Sequence, residues 1–175
     1  SLRTKYMQDY GTKVVAGVTP GKGGSEVHGI PVYNTVKEAL RAQAQIDAAV
    51  TFVPGPLLRG AVYEAIDAGI KLVSSPLERI PVHDVIEMVS YARKNDVQLL
   101  GPGSLGMISP GKAVVGWLGG SVDWANTLFD PGPIGVISRS GGQSGTVPWA
   151  LKVAGLGIST ALHIVTEPVL GLTMA

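Results

Sequence analysis

The 175-residue sequence contains no cysteine, which excludes disulfide staples, thiolate metal sites and a cysteine nucleophile. Charge is also sparse: 14 Lys and Arg against 13 Asp and Glu leave a net charge of +1. No global field draws such a chain to nucleic acid or to anionic lipid, so recognition has to be local. Long hydrophobic runs are missing too. The apolar stretches at 47–54 and 134–138 are strand-length, and proline, glycine or charge interrupts them well short of the ~20 residues a bilayer requires. No apolar stretch follows the charges of Ser1-Leu2-Arg3-Thr4-Lys5, so no secretory signal is expected. The expected setting is cytoplasmic, or the mitochondrial matrix in a eukaryote, with neither a membrane nor a nucleic acid as partner.

What is present suits a packed core. Hydrophobic side chains make up 45% of the sequence, enough for one domain or one and a half. The 24 glycines and 12 prolines fall between periodic segments and form no low-complexity block. That distribution predicts many short strand-to-helix connections. Strands are expected at 13–18, 48–53, 71–74 and 97–100, with helices at 35–44, 57–68 and 82–95. Gly69 is placed to cap the second helix, and Arg93 and Lys94 sit in the last turn of the third, where they complement its dipole. Strands alternating with helices in this way imply a Rossmann-like parallel sheet with right-handed crossovers.

From 101 to 133 the pattern loosens into a connection rich in Gly, Pro and Ser that holds Trp117 and Trp124, and a domain junction is expected there. A second α/β alternation follows, with a strand at 134–137, a polar glycine loop, a helix at 146–154 and a strand at 159–164. The expected division is therefore 1–104 and 105–175. Two or three strands and one helix cannot close the second unit, so further sequence or another chain is expected to complete it and an oligomer is anticipated.

In parallel α/β sheets ligands lie outside the carboxyl ends of the strands. The segment Thr19-Pro20-Gly21-Lys22-Gly23-Gly24 places a lysine among glycines directly after a strand, where backbone amides and an ammonium are expected to approach a phosphate. An ordinary turn with a solvated lysine has the same composition. The segment is neither a Walker loop nor a G-x-G-x-x-G fingerprint, which disfavours a nicotinamide-dependent dehydrogenase. Ser138-Arg139-Ser140-Gly141-Gly142 precedes a helix, so it provides either an anion site on the helix N-terminus or a plain serine cap.

Several blocks carry a family resemblance: Tyr10-Gly11-Thr12-Lys13, Gly17-Val18-Thr19-Pro20-Gly21-Lys22-Gly23-Gly24, Gly29-Ile30-Pro31-Val32-Tyr33-Asn34, Glu64-Ala65-Ile66-Asp67-Ala68-Gly69-Ile70-Lys71 and Ile137-Ser138-Arg139-Ser140-Gly141. In this order and spacing the chain resembles the alpha subunit of succinyl-CoA synthetase. Ser-Arg-Ser-Gly-Gly-x-Ser and the insert at 119–133 look more like the related region of ATP-citrate lyase. The resemblance implies a Rossmann-like coenzyme-A-binding domain, followed by part of a flavodoxin-like ligase domain. Val18, Thr19, Pro20 and Lys22 would line the coenzyme A pocket, with Phe52, Val53 and Pro54 after the next strand and Pro76, Leu77 and Glu78 after the one beyond. Ser138, Arg139, Ser140, Gly141 and Gly142 would cradle a phosphoryl group.

The implied chemistry is thioester formation from a small carboxylic acid, the ligase step of the tricarboxylic acid cycle. It would run through a phosphohistidine and an acyl phosphate, with ATP or GTP and Mg held by an ATP-grasp beta subunit. The family's first strand and phosphate loop would precede Ser1, and its phosphorylated histidine would follow Ala175. His28, His83 and His163 match no motif of the family, so no catalytic histidine is assigned and the chain by itself is expected to be silent. Three departures bear on the acid. Gly101-Pro102-Gly103-Ser104-Leu105-Gly106 stands for Gly-Pro-Asn-x-Pro-Gly, Gly145 stands for a tyrosine, and Val165-Thr166-Glu167-Pro168 stands for Gly-Gly-Asp-Pro. A member specific for citrate or another acid, or a stand-alone coenzyme-A-binding regulatory module, are the alternative readings.

Overall fold

A computed structural model describes residues 2–165 and 169–173. Its organisation follows from the alternation along one short strand. In the segment built on β4 (Ala48–Val50), Ala49 and Val53 pack into one apolar cluster while Val50 and Phe52 pack into another. Successive side chains on a strand point to opposite faces, so this segment is buried on both sides, as parallel sheets require.

The first cluster is made by α3 (Leu58–Asp67) and α4 (Val82–Lys94) on the sheet of β4, β5 (Leu72–Ser74) and β6 (Gln98–Leu100), which are parallel in that order. Leu58, Val62, Ala65 and Ile66 on α3 and Val85, Met88, Val89 and Ala92 on α4 are buried at helical spacing, facing Val73 and Leu99. Local chemistry ends these helices as the sequence suggests. Gly69 adopts φ +96° after α3, a conformation that favours glycine, and Arg93 and Lys94 close α4. In α2 (Val36–Ala42) the Thr35 hydroxyl accepts from the Glu38 N–H, and Glu38 reaches back to the Asn34 N–H.

The expected strand at 13–18 shrinks to β1 (Gly17–Val18), and the single sheet divides. β1 pairs in parallel only with β3 (Ile30–Tyr33), on whose other side β2 (Glu26–Val27) runs antiparallel. As an edge strand, β1 has a ladder partner on one side only, and residues 13–16 lie outside its pairing. The β2–β3 hairpin, unforeseen from the pattern, turns on His28 and Gly29, with φ 55° and 77°. Two consecutive left-handed residues make the turn whose twist matches the flanking strands.

The stretch at 101–133, expected to be a loose connection, is regularly structured. It contains β7 (Gly106–Ser109), β8 (Ala113–Gly116) and α5 (Val122–Leu128). Together with β9 (Pro131–Ser138) and β10 (Ile158–His163) the two strands form a mixed sheet of order β8-β7-β10-β9, four strands where two or three were expected. What reads as glycine-rich slack is close backbone packing. Gly106 and Gly116 face each other across the hairpin at φ +99° and +108°, and a Cβ on either would collide with a carbonyl of the opposite strand. The helix after β9 also starts earlier than expected, as α6 (Gln143–Val153), preceded by Gly142 in helical conformation and with the Ser140 hydroxyl accepting from the Gln143 N–H.

The N-terminal helix α1 (Leu2–Asp9) packs on this second unit: the Tyr6 hydroxyl donates to the Leu118 carbonyl at 2.5 Å. Just after α1, Thr12 exchanges two hydrogen bonds with Val114 of β8 at 2.7 and 2.9 Å. The two clusters therefore share the β4 segment. Leu58, with no exposed surface, is a direct probe of the first cluster. Leu58→Ala should lower unfolding stability by about 2–5 kcal/mol, read as a fall in the urea midpoint at unchanged slope. An unchanged midpoint would contradict the packing described.

Candidate functional site

The carboxyl ends of β4, β5 and β6 carry the segments 51–54, 75–81 and 101–105. Backbone contacts weld them together. The Thr51 N–H donates to the Ser74 carbonyl at 2.9 Å, Ser75 N–H to Leu100 carbonyl at 2.8 Å, and Ser104 N–H to Ser75 carbonyl at 3.2 Å. Gly101, at φ +109°, lies so close to the Ser75 carbonyl that a Cβ would overlap it. Val53 and Leu77 pack against the same cluster, and a Cβ on Gly55 would stand 3.5 Å from Ile80. Phe52, Val53 and Pro54 thus converge with Pro76, Leu77 and Glu78, with Pro54 and Glu78 exposed at the rim.

Arg3 was not anticipated at this edge. Its guanidinium stacks 5.0 Å from the Phe52 ring centroid and 4.8 Å from that of Trp117, which places a cation between the first sheet and the second unit. No sequence pattern links Arg3 to rings 49 and 114 positions away.

The segment 19–24 differs from expectation in an informative way. Every one of its amides is already bonded: Thr19 to the Tyr33 carbonyl, Lys22 to Thr19, Gly24 to Val32, and both Gly21 and Gly23 to Asn34 Oδ1 at 2.9 Å. Pro20 has no N–H to offer. Asn34 therefore occupies the position an anion would take among these amides. The loop presents the exposed Lys22 ammonium, held on a rigid closed turn beside exposed Val18, Thr19 and Pro20. Gly23 is needed for this closure, because a Cβ there would overlap the Asn34 amide group. Asn34 could have been suspected as a short polar side chain between a strand and a helix cap, positions where asparagine bonds nearby backbone.

The loop after β9 is arranged differently. Ser138 Oγ accepts from the Ser140 N–H at 3.0 Å, and Ser140 Oγ accepts from Gln143 N–H at 3.4 Å. The amides of Gly141 and Gly142, at the N-terminus of the 11-residue α6, have no partner among the described residues. They and the helix dipole present partial positive charge to the same space. The loop is tied down from behind by His163, a residue the sequence left without a role. Its Nδ1 accepts from the Leu105 N–H at 2.8 Å, and its Nε2 lies 3.3 Å from the Arg139 carbonyl. Since Nδ1 accepts, the proton of the neutral ring sits on Nε2 and points to that carbonyl. Burial lowers the pKa of this imidazole, while the Arg139 carbonyl and the Glu78 carboxylate pull the other way. Glu78 thus acts on the same neighbourhood as the loop after β9. Thr166, Glu167 and Pro168, where the pattern departs from the family, lie outside the described residues. Among the described residues no cluster of three or more His, Asp or Glu is placed to hold a metal ion, and no helix is long and apolar enough to cross a membrane.

Residues 1–75 match a family model described as CoA binding domain. The chain is 47% identical to a succinate–CoA ligase [ADP-forming] subunit alpha 1 from Archaeoglobus fulgidus, over 99% of this chain and 57% of that relative. It is 41% identical to the malate–CoA ligase subunit alpha of Methylorubrum extorquens, over 98% of this chain and 57% of that protein. A structure of ATP citrate lyase from Methanothrix soehngenii in complex with citrate and coenzyme A superposes with a TM-score of 0.77 at 25% identity, covering 83% of this chain and 24% of that one. The chain therefore spans little more than half the length of these curated relatives.

The closure of the 19–24 turn is directly testable. Each hydrogen bond contributes about 0.5–1.5 kcal/mol, so Asn34→Ala should raise hydrogen exchange at the Gly21 and Gly23 amides by about two- to tenfold, with the α3 and α4 amides unchanged. Unaltered exchange at both glycines would remove Asn34 from the account.

Proposed function

We propose that this chain, which is similar to the alpha subunits of succinate–CoA ligases, forms the coenzyme-A-binding part of an acid–CoA ligase. The observation that carries the reading is the convergence of 52–54 and 76–78 at the carboxyl ends of three parallel strands, where the fold places ligands. Phe52, Val53 and Pro54 form one side of the coenzyme pocket, and Pro76, Leu77 and Glu78 form another. Val18, Thr19 and Pro20 provide a wall on the β1–β3 sheet, where Lys22 meets a coenzyme phosphate as a point charge without help from the loop amides.

The second unit holds the phosphoryl group. Ser138 and Ser140 shape the turn, and the Gly141 and Gly142 amides with the α6 dipole stabilise its negative charge. The chemistry is thioester formation: phosphate passes from a nucleoside triphosphate through a histidine to the acid, and the coenzyme thiol displaces it from the acyl phosphate. ATP or GTP with Mg is held by an ATP-grasp beta subunit, and the working enzyme is a cytoplasmic hetero-oligomer. The division at 104/105 separates the coenzyme-binding part from the phosphoryl-holding part. No histidine of this chain is assigned as the phosphoryl carrier: both nitrogens of His163 are engaged, and His28 and His83 match no motif of the family. The exposed apolar side chains Ile137 on edge strand β9 and Trp149 and Val153 on α6 are consistent with a surface covered in the assembly. The relatives named for succinate and for malate support a small carboxylic acid as substrate, and the departures at Gly103, Leu105 and Gly145 bear on which one.

Removing one charge-assisted contact costs about 1.4 kcal/mol or more, so Lys22→Ala should weaken coenzyme A binding by about tenfold in calorimetry. The effect should shrink as salt rises, because an exposed ammonium is screened. Wild-type affinity in the variant would overturn the assignment of Lys22.

A further inference from the structure

Ser104 and His163 stand back to back between the two units. The Ser104 hydroxyl donates to the His163 carbonyl and accepts from the Gly106 N–H at 2.9 Å. Through its ring, His163 holds the Leu105 N–H on one side and the Arg139 carbonyl on the other. The ring is only 2% exposed, and the two segments it joins are 24 and 58 positions away from it. A Cβ on Gly141 would stand 3.1 Å from the Leu105 side chain and 4.0 Å from His163 Nε2, so the glycine loop rests directly on this pair.

We propose that His163 is a positioning residue, which ties the 101–105 turn to the 138–142 loop and thereby fixes where the Gly141 and Gly142 amides, without a partner among the described residues, point. The inference rests on the reading of that loop as the anion-holding one. It goes further by naming what aims the amides and how the aim is lost. A protonated imidazole carries hydrogens on both nitrogens, so it cannot accept from the Leu105 N–H, and the bridge opens at that end. Among the described residues the charged groups around the ring are few. Glu78 faces it from the segment after β5. Arg139, in the loop after β9, turns its Nε to the Val165 carbonyl at 3.3 Å, and the 101–105 turn has no titratable side chain.

The sign of the pH dependence follows from burial. The folded pKa lies below that of the unfolded chain, so the bridge is intact above the ordinary histidine range. The stability it confers is lost as pH falls through that range to the folded value. Sulfate serves as the probe because its charge is constant over these pH values. In the intact subunit, nitrogen-15 NMR should show the His163 ring, the Leu105 amide and the Gly141 amide titrating with one shared midpoint. Sulfate binding at Gly141 and Gly142 should weaken by about threefold or more with that same midpoint. A purely electrostatic role predicts the reverse, since a new positive charge would strengthen sulfate binding. His163→Asn retains an acceptor near the Nδ1 position but has no proton to gain, so it should abolish the pH dependence of sulfate binding.

Gly141 amides that ignore His163 titration, or sulfate binding that strengthens in acid, would overturn the proposal while leaving the anion reading intact. Amides that shift with His163 but bind no sulfate at any pH would support positioning and sink the anion reading instead. Should the variant fail to fold, the wild-type titration alone decides.

Discussion

The contact on which most of the described arrangement depends is the approach of Gly101 to the Ser75 carbonyl. The backbone leaves β6 there and crosses the end of β5 with no room for a side chain, and the Ser104 N–H completes the crossing by bonding the same carbonyl. This crossing delivers Ser104 and Leu105 to the end of β10, where His163 receives them, and it starts the chain into β7. Two sheets that share no ladder are thereby set with their loop-bearing ends connected. The shared β4 segment and α1 reinforce the join from below, through Val50, Phe52 and Tyr6 in the second cluster.

On the proposed function, this arrangement separates two kinds of anion recognition. At 19–24 the amides are closed by Asn34, leaving a rigid turn that displays a lone ammonium. At 138–142 the reverse holds: the serine side chains bond their own loop, while two glycine amides at a helix N-terminus have no partner among the described residues. A lysine on a stem tolerates a range of ligand positions, and fixed amides do not. In the proposed ligase, the first site would suit the capture of a flexible coenzyme, and the second a group whose position must be reproduced at every turnover. The conversion of a phosphate nest into a closed turn is the main change the structure makes to the sequence reading.

How much was legible depends on range. Helices α2, α3 and α4 could be read because their signals are local: the Thr35 cap with Glu38, the spacing of Leu58, Val62 and Ala65, and Gly69 after the last turn. Strands β4, β5 and β6 could be read as short apolar runs between those helices. The hairpin of β7 and β8 could not, because glycines that enforce close approach look in sequence like glycines that permit looseness. Asn34 and His163 were illegible as functional residues for a related reason. Asn34 acts on amides 11 and 13 positions away, and His163 acts on groups 24 and 58 away. The hint for His163 was a lone titratable residue in the apolar run Ala161–Val165, which by itself says only that the ring needs partners.

The central claim is that segments from separate strands form one coenzyme A pocket at the carboxyl edge. Hydrogen–deuterium exchange with and without coenzyme A tests it most directly. The account predicts protection confined to 18–24, 52–54 and 76–78, with the outer faces of α3 and α4 unaffected. Protection that falls on α3 and α4, or that is absent from all three segments at saturating coenzyme, would contradict it.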